Sequence, residues 1–443
     1  MRRTSAQSRL FAPATVLVLT LAGAASGQTV TDSGLAVTPY ATGLSLPTQI
    51  RFIGPGDMLV TEKNSGSVKR YINGVFSGEL LNLSVANDSE RGLLGITPHP
   101  DFATNNQVYL YYSENNSNSD GGTWTDNRLA RYTLSGSAFV PDGTFTPITF
   151  GTSADGQANG PNHDAGPITF GPDGKLYGTT GDLNRDRAEQ NDQTNGALSA
   201  LVGGVYRLND NGTVPSDNPF TGNANANFHR WFGYGVRNTF GIAFDPVTNR
   251  LWETENGPGN YDEINLIPSG FNGGWNPIMG PDSRNSANAA TDLVNLPGSA
   301  YSDPEFSFFT PVAVTGIEFL AGSLMDAAYH DAVVVGANNT GELYLLRLNE
   351  TRDGFVLGGD LADHVADTTA ERNLTRFGQG FGALTDLQVG PDGALYATSI
   401  ANGIVYRIAP VPEPAATVAI AAAASHFFCR RRRLKACIDC GWH

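Results

Sequence analysis

One strand–turn–strand plan is written six times along this chain. It appears as "TQIRFIGPGDMLVTEK" around Ile50, "LLGITPHPDFATNNQVYLYYS" around Ile96 and "GPITFGPDGKLYGTTGD" around Ile168. It returns as "FGIAFDPVTNRLWETENG" around Ile242, "TGIEFLAG…DAVVVGANNTGELYLLRL" around Ile317 and "TDLQVGPDGALYATSI" around Leu387. Each copy has an apolar run, a turn of Pro, Gly or Asp, and a second apolar run that ends in small or polar residues. The copies are spaced by 46, 72, 74, 75 and 70 residues. A hairpin cannot bury its own faces, so repeats at such periods stack into rings or solenoids. With 77 Gly and Pro among 443 residues and almost no helical periodicity before Ala415, the chain reads as all-β. The expected architecture is a six-bladed β-propeller of four-stranded antiparallel blades over residues 28–410. At about 64 residues per blade, against about 40–45 for a minimal one, the surplus goes into long loops over one face. The stretch Gly273 to Phe309 is expected to be one of them.

The third copy contains an unusual pair. If Pro172 and Asp173 are its two turn residues, facing positions sum to 345, and His163 meets Asp182 at the open end of the hairpin. Arg237 and Asn238 stand just before the first strand of the fourth copy, and "NDSERGLLG" with Glu90 stands before that of the second. Polar loops from successive repeats thus converge on one mouth of the ring, where ligand sites of such folds are favoured.

The ends are of a different kind. Arg2, Arg3 and Arg9, an apolar run and "AASGQ" have the anatomy of a secretory signal over residues 1–27, so the protein is expected to be exported to the periplasm, cell surface or exterior. All three cysteines (Cys429, Cys437, Cys440) lie in the tail, which leaves the body without disulfides. The lone C-x-x-C of Cys437 and Cys440 is weak support for metal or redox use. Without its two ends the chain carries 20 basic and 41 acidic residues. A surface this acidic repels nucleic acid and anionic membranes.

In sequence order, "ERGLLG…HPDF", "H…FGPDGKLYGTTGD", "YGVRNTFGIAFDP" and "ENGPGNYDEINLI…GWNP" resemble the soluble pyrroloquinoline-quinone-dependent glucose/sorbosone (aldose sugar) dehydrogenases, over most of Leu35 to Ile408. That resemblance implies a sugar substrate, the quinone cofactor and Ca²⁺. It makes His163 the general base, Asp182 its orienting partner and Arg237 the cation that stabilises charge on the reduced quinone. It makes Glu90 and Asn238 cofactor contacts, with Glu90 where the family often has Gln. It gives the carbonyls of Gly257 and Pro258 to the Ca²⁺. The sequence departs from the family where the cofactor's three carboxylates are held. Asn339 stands near an expected Lys, and Ala383 and Thr385 stand where arginines are expected, with Arg372 or Arg376 as candidate substitutes. "VPEP", an apolar run and Arg430 to Arg433 resemble a PEP-CTERM sorting signal (411–433), which implies an exosortase-type sorting partner and association with the surface or exopolysaccharide. Residues 434–443 extend past it.

Two other readings remain open at this level. One is a non-catalytic surface propeller that binds glycan, and the other a Ca²⁺-dependent lactonase-like hydrolase. Asp182 alone is also a common turn residue, and Arg237 could serve a structural ion pair.

Overall fold

The computed structural model describes residues 27–154, 160–184 and 202–412. The expected secretory, sorting and tail segments therefore lie outside the described residues, apart from Gly27, Val411 and Pro412.

The strands fall into six sheets. Their first strands are Pro47–Gly54, Leu93–Pro98, Ile168–Phe170, Thr239–Phe244, Val314–Phe319 and Leu384–Val389. Each of these packs on the next, and the last packs on the first, so they form a closed ring about an axis and the fold is a β-propeller. The six repeated apolar positions, Ile50, Ile96, Ile168, Ile242, Ile317 and Leu387, all lie on these inner strands and are all buried.

The apolar core is divided among the junctions between sheets. Leu59 and Val68 of the first sheet pack with Ile96 and Val108 of the second. Tyr109 and Tyr111 pack with Ile168 and Tyr206 of the third, and Tyr177 and Val205 with Ile242 and Leu251 of the fourth. Trp252 and Phe308 pack with Val335 and Tyr344 of the fifth, Val334 and Leu343 with Leu395 and Tyr406 of the sixth, and Tyr396 and Val405 with Ile50 and Val60 of the first. Every sheet therefore needs apolar residues on both faces. Each fully buried large side chain contributes about 1.5–3 kcal/mol, which suits a body with no disulfides.

The ring closes through the N-terminal segment. Leu35–Thr42 pairs antiparallel with Ile404–Pro410, so the last sheet takes its outer strand from the chain start. Thr29–Val30 likewise edges the fifth sheet against Arg376–Gln379.

Two expectations are corrected here. Among the described residues only the first and sixth sheets have four strands; the others have five or six, with parallel pairs such as Gly233 with Phe271 and Ser307 with Val365. The reason is the surplus chain: the long connections turn back and cover sheet edges that would otherwise be exposed. Part of Gly273 to Phe309 does this: Ala300–Tyr301 forms an outer edge, and Phe306–Phe308 pairs with Asp262–Ile267 on one side and Val365–Ala366 on the other. The hairpin register of the third repeat is also shifted by one. Ile168 faces Gly178 and Phe170 faces Leu176, because Gly171 bonds Lys175 and the loop takes a third residue, Gly174, at φ +72°. A glycine in the left-handed region is what a three-residue hairpin loop requires.

Candidate active site

With the shifted register, it is Leu183 whose backbone N–H reaches the His163 carbonyl, at 3.3 Å. Asp182 still meets His163, but through side chains: Nδ1 of the imidazole lies 2.5 Å from Oδ1 of the carboxyl. The Asp182 side chain is almost wholly buried and that of His163 is 12% exposed. A proton on Nδ1 is held by Asp182, which leaves Nε2 with its lone pair. The Asn184 amide nitrogen lies 3.4 Å from both ring nitrogens and so covers the ring.

The backbone here is unusual. His163, Ala165, Leu183 and Asn184 all have positive φ, between 54° and 64°. Non-glycine residues in this region carry a cost that the surroundings must offset, and they cluster at functional sites. The surroundings are visible. Glu90 Oε2 accepts the His163 N–H at 2.7 Å and the Asn238 amide at 3.1 Å, while Asn238 Oδ1 accepts the Ala165 N–H. Asp182 N–H donates to the Arg237 carbonyl at 2.9 Å. Gly181 sits between these segments, where a Cβ would come within 2.2 Å of the His163 carbonyl oxygen.

Arg237 is placed by Glu255, whose Oε1 accepts its backbone N–H at 2.5 Å, and by the Asn256 carbonyl, which accepts from its guanidinium at 2.7 Å. Burial lowers its pKa, opposed by the negative charges of Asp182, Glu255, Glu90 and Asp262. An arginine stays charged through such a shift, so this is a fixed, half-buried cation in the cavity wall. Three carboxyls lie behind it on adjacent strands, Glu253, Glu255 and Glu263, all buried and all with raised pKa because burial disfavours their charge.

Glu90, His163, Arg237 and Asn238 line one axial cavity of about 500 Å³, to which every sheet contributes. The wall opposite the third sheet is neutral, with Asn338, Asn339, Thr385 and Ile400. Ala383 is not on the wall. Arg372 and Arg376 are not on it either; both pair with Glu342. They do not replace the expected carboxylate anchors.

Gly257 lines the cavity, but Pro258 is exposed and does not line it. Among the described residues no group of three or more His, Cys, Asp or Glu is arranged to hold a metal. Asp262 is pushed up to about 6 by burial, and its oxygens accept the N–H groups of Gly257, Val312 and Val314. Ca²⁺ takes six to eight oxygens, and the side chains of the described residues do not assemble that set.

Two residues of the site were not singled out from sequence. Lys63 lines the cavity and donates to the carbonyls of Asn87, Ser89 and Arg91, which ties down the loop that carries Glu90. Its signal was positional: it follows the second strand of the first repeat, as Asp182, Asn256 and Asn338 follow theirs. Trp275 donates its indole N–H to Asp182 Oδ2 at 2.8 Å, and its ring lies 5.4 Å from the Arg237 guanidinium. It comes from the long Gly273 segment; no repeat position marks it, and its one signal was its place in the motif "GWNP".

The family model of Glucose / Sorbosone dehydrogenase matches residues 44–407. The aldose sugar dehydrogenase of Escherichia coli is 28% identical over 322 residues, covering 72% of this chain and 77% of that one. The quinoprotein glucose dehydrogenase B of Acinetobacter calcoaceticus is 32% identical over 240 residues, 51% of this chain and 47% of that one. Among solved structures, the PQQ-bound aldose sugar dehydrogenase of Streptomyces coelicolor superposes with a TM-score of 0.59 at 24% identity, covering 85% of this chain and 99% of that one. The apo aldose sugar dehydrogenase of Escherichia coli gives 0.63 at 24%, with 85% and 100% covered. The propeller, the ordered motifs and the match over nearly the whole described body agree: the chain belongs to the glucose/sorbosone dehydrogenase family, the soluble quinone-dependent sugar dehydrogenases.

Proposed function

We propose that the chain is an exported oxidoreductase that oxidises an aldose or related sugar at its anomeric hydroxyl, with pyrroloquinoline quinone as acceptor. The observation that carries this is the His163–Asp182 pair beside a cavity whose wall His163 shares with the half-buried Arg237. His163 Nε2 takes the hydroxyl proton. Asp182 on Nδ1 keeps the ring in that tautomer and stabilises it once charged. The quinone, when bound, supplies the acceptor for the hydride from C1. Arg237 opposes negative charge that develops beside it, and Asn238 and Arg237 are the residues that would hold the quinone's carbonyl edge.

The fit is good at that edge and less so at the carboxylates, which would meet Asn338, Asn339 and Thr385. Ca²⁺ belongs to the same reading only through the carbonyls of Gly257 and Pro258 with further oxygens from the ligand. Export and exosortase-type sorting rest on the terminal sequences. The neutral wall favours a second reading, a surface propeller that binds glycan through amides and hydroxyls and takes no quinone. Nothing among the described residues favours the lactonase-like hydrolase.

The test is a titration of the protein with the quinone in Ca²⁺, followed by an aldose panel with a dye acceptor. Turnover that disappears in His163→Ala supports the dehydrogenase. Glycan binding with no quinone binding at micromolar concentration would replace it with the second reading.

A further inference from the structure

We infer that Trp275 is the positioning residue that sets the spacing between Asp182 and Arg237. The inference rests on the proposed reading only for what those two groups do.

Asp182 is 3% exposed, and each of its oxygens has a donor. Oδ1 takes the His163 imidazole at 2.5 Å and the Asn184 N–H at 2.9 Å; Oδ2 takes the Trp275 indole at 2.8 Å. The indole therefore fixes the rotation of the carboxyl and so the direction from which Oδ1 faces the imidazole. The same indole ring carries the Arg237 guanidinium 5.4 Å from its centroid. A cation over an aromatic face is attracted to it, more so out of water. One rigid side chain thus touches both the partner of the base and the cation of the site.

The residue type follows from the two tasks. Phenylalanine has the face but no donor, and glutamine has a donor but no face. Tyrosine donates along its long axis, while the indole donates from its edge beside the face.

The support beneath Trp275 is itself held. Its backbone N–H donates to the Gly235 carbonyl at 3.0 Å, two residues before Arg237, and Gly273 N–H donates to Tyr234 at 3.0 Å. Gly274 has φ +89°, and a Cβ there would lie 2.9 Å from Ile278 and from the Tyr301 ring. Trp275 is the point at which the long Gly273 segment, which farther along adds short strands to two sheets, reaches the His163–Asp182 pair.

The experiment uses the chain with ¹⁵N-labelled tryptophan and histidine. The Trp275 indole resonance is identified by its loss in Trp275→Phe. In Asp182→Asn it is expected to move upfield, because a neutral acceptor replaces a carboxylate, while the other indoles stay in place. Conversely, Trp275→Phe is expected to shift or broaden the His163 Nδ1 proton while the melting temperature stays within a few degrees. With sugar turnover as a further readout, Trp275→Phe lowers kcat at least about tenfold with little change in KM, and Trp275→Leu, which also removes the face under Arg237, lowers it further. An indole resonance indifferent to Asp182→Asn, or a His163 proton indifferent to Trp275→Phe, overturns the inference. Should Trp275→Phe not fold, the Asp182→Asn arm decides it, with the Trp275 indole assigned by sequential correlation. The resonance measurements need neither cofactor nor sugar, so absence of turnover would count against the proposed reaction and leave this inference to be judged on its own.

Discussion

Glu90 and His163 are 73 residues apart in sequence, yet Glu90 Oε2 accepts the His163 backbone N–H at 2.7 Å and holds it in a left-handed conformation. The same oxygen takes the Asn238 amide, so one carboxyl joins the loops of three successive sheets. Glu90→Ala leaves two part-buried donors without an acceptor. Each such loss costs about 1–3 kcal/mol, so for the two together urea denaturation should show a fall of about 2–6 kcal/mol. Glu90→Gln keeps an acceptor and should lose less than half as much. Equal losses in the two variants would mean that the charge of Glu90, and not its place as an acceptor, holds the loops.

Gly181 is needed for the approach of two carbonyls. A Cβ at this position would stand 2.2 Å from the His163 oxygen and 2.7 Å from the Arg237 oxygen, both backbone atoms. Gly181→Ala must therefore push the His163 and Arg237 segments apart. Turnover should fall by at least about a hundredfold, as expected when reacting groups are displaced by about an ångström. Wild-type turnover in this variant would show that the segments tolerate separation.

Asn339 faces the cavity on the neutral wall. Asn339→Lys adds a cation there, and one charge-assisted hydrogen bond of about 1.5–3 kcal/mol should tighten pyrroloquinoline quinone binding between about tenfold and a hundredfold. Calorimetric titration of the two proteins measures it. No gain in affinity would place the cofactor's carboxylates elsewhere.

Glu318 lies at the other end of the axial channel, near Arg51 and Asp386. Burial raises its pKa from 4.5 to about 8. Between those values the folded protein keeps a proton that the unfolded chain releases, so its contribution to stability is lost as pH rises through that window. The melting temperature should fall from pH 5 to pH 8. In Glu318→Gln the fall should be smaller by about 2–4 °C. An identical slope in both proteins would remove Glu318 from the cause.

Sequence alone determined the repeat and, through it, the ring. Six apolar inner strands at Ile50, Ile96, Ile168, Ile242, Ile317 and Leu387 could be read directly, because burial between neighbouring sheets demands apolar residues at fixed places in each copy. The exits of the second strands were legible for the same reason. His163, Asp182, Arg237, Asn238 and Glu90 could be nominated together; four of them line one cavity, and Asp182 reaches it through the His163 ring. Tertiary structure alone decided the rest. The third hairpin takes a three-residue loop, and a shift of one residue follows from the conformation of Gly174, which a two-residue reading of the turn leaves out. The neutral wall opposite His163 follows from which residues the fifth and sixth sheets present to the axis. Trp275 arrives from a segment that no periodicity describes. Periodicity records which side of a strand is buried. A non-repeating loop is positioned by backbone bonds to distant carbonyls, such as that of Gly235, and these leave no pattern along the chain.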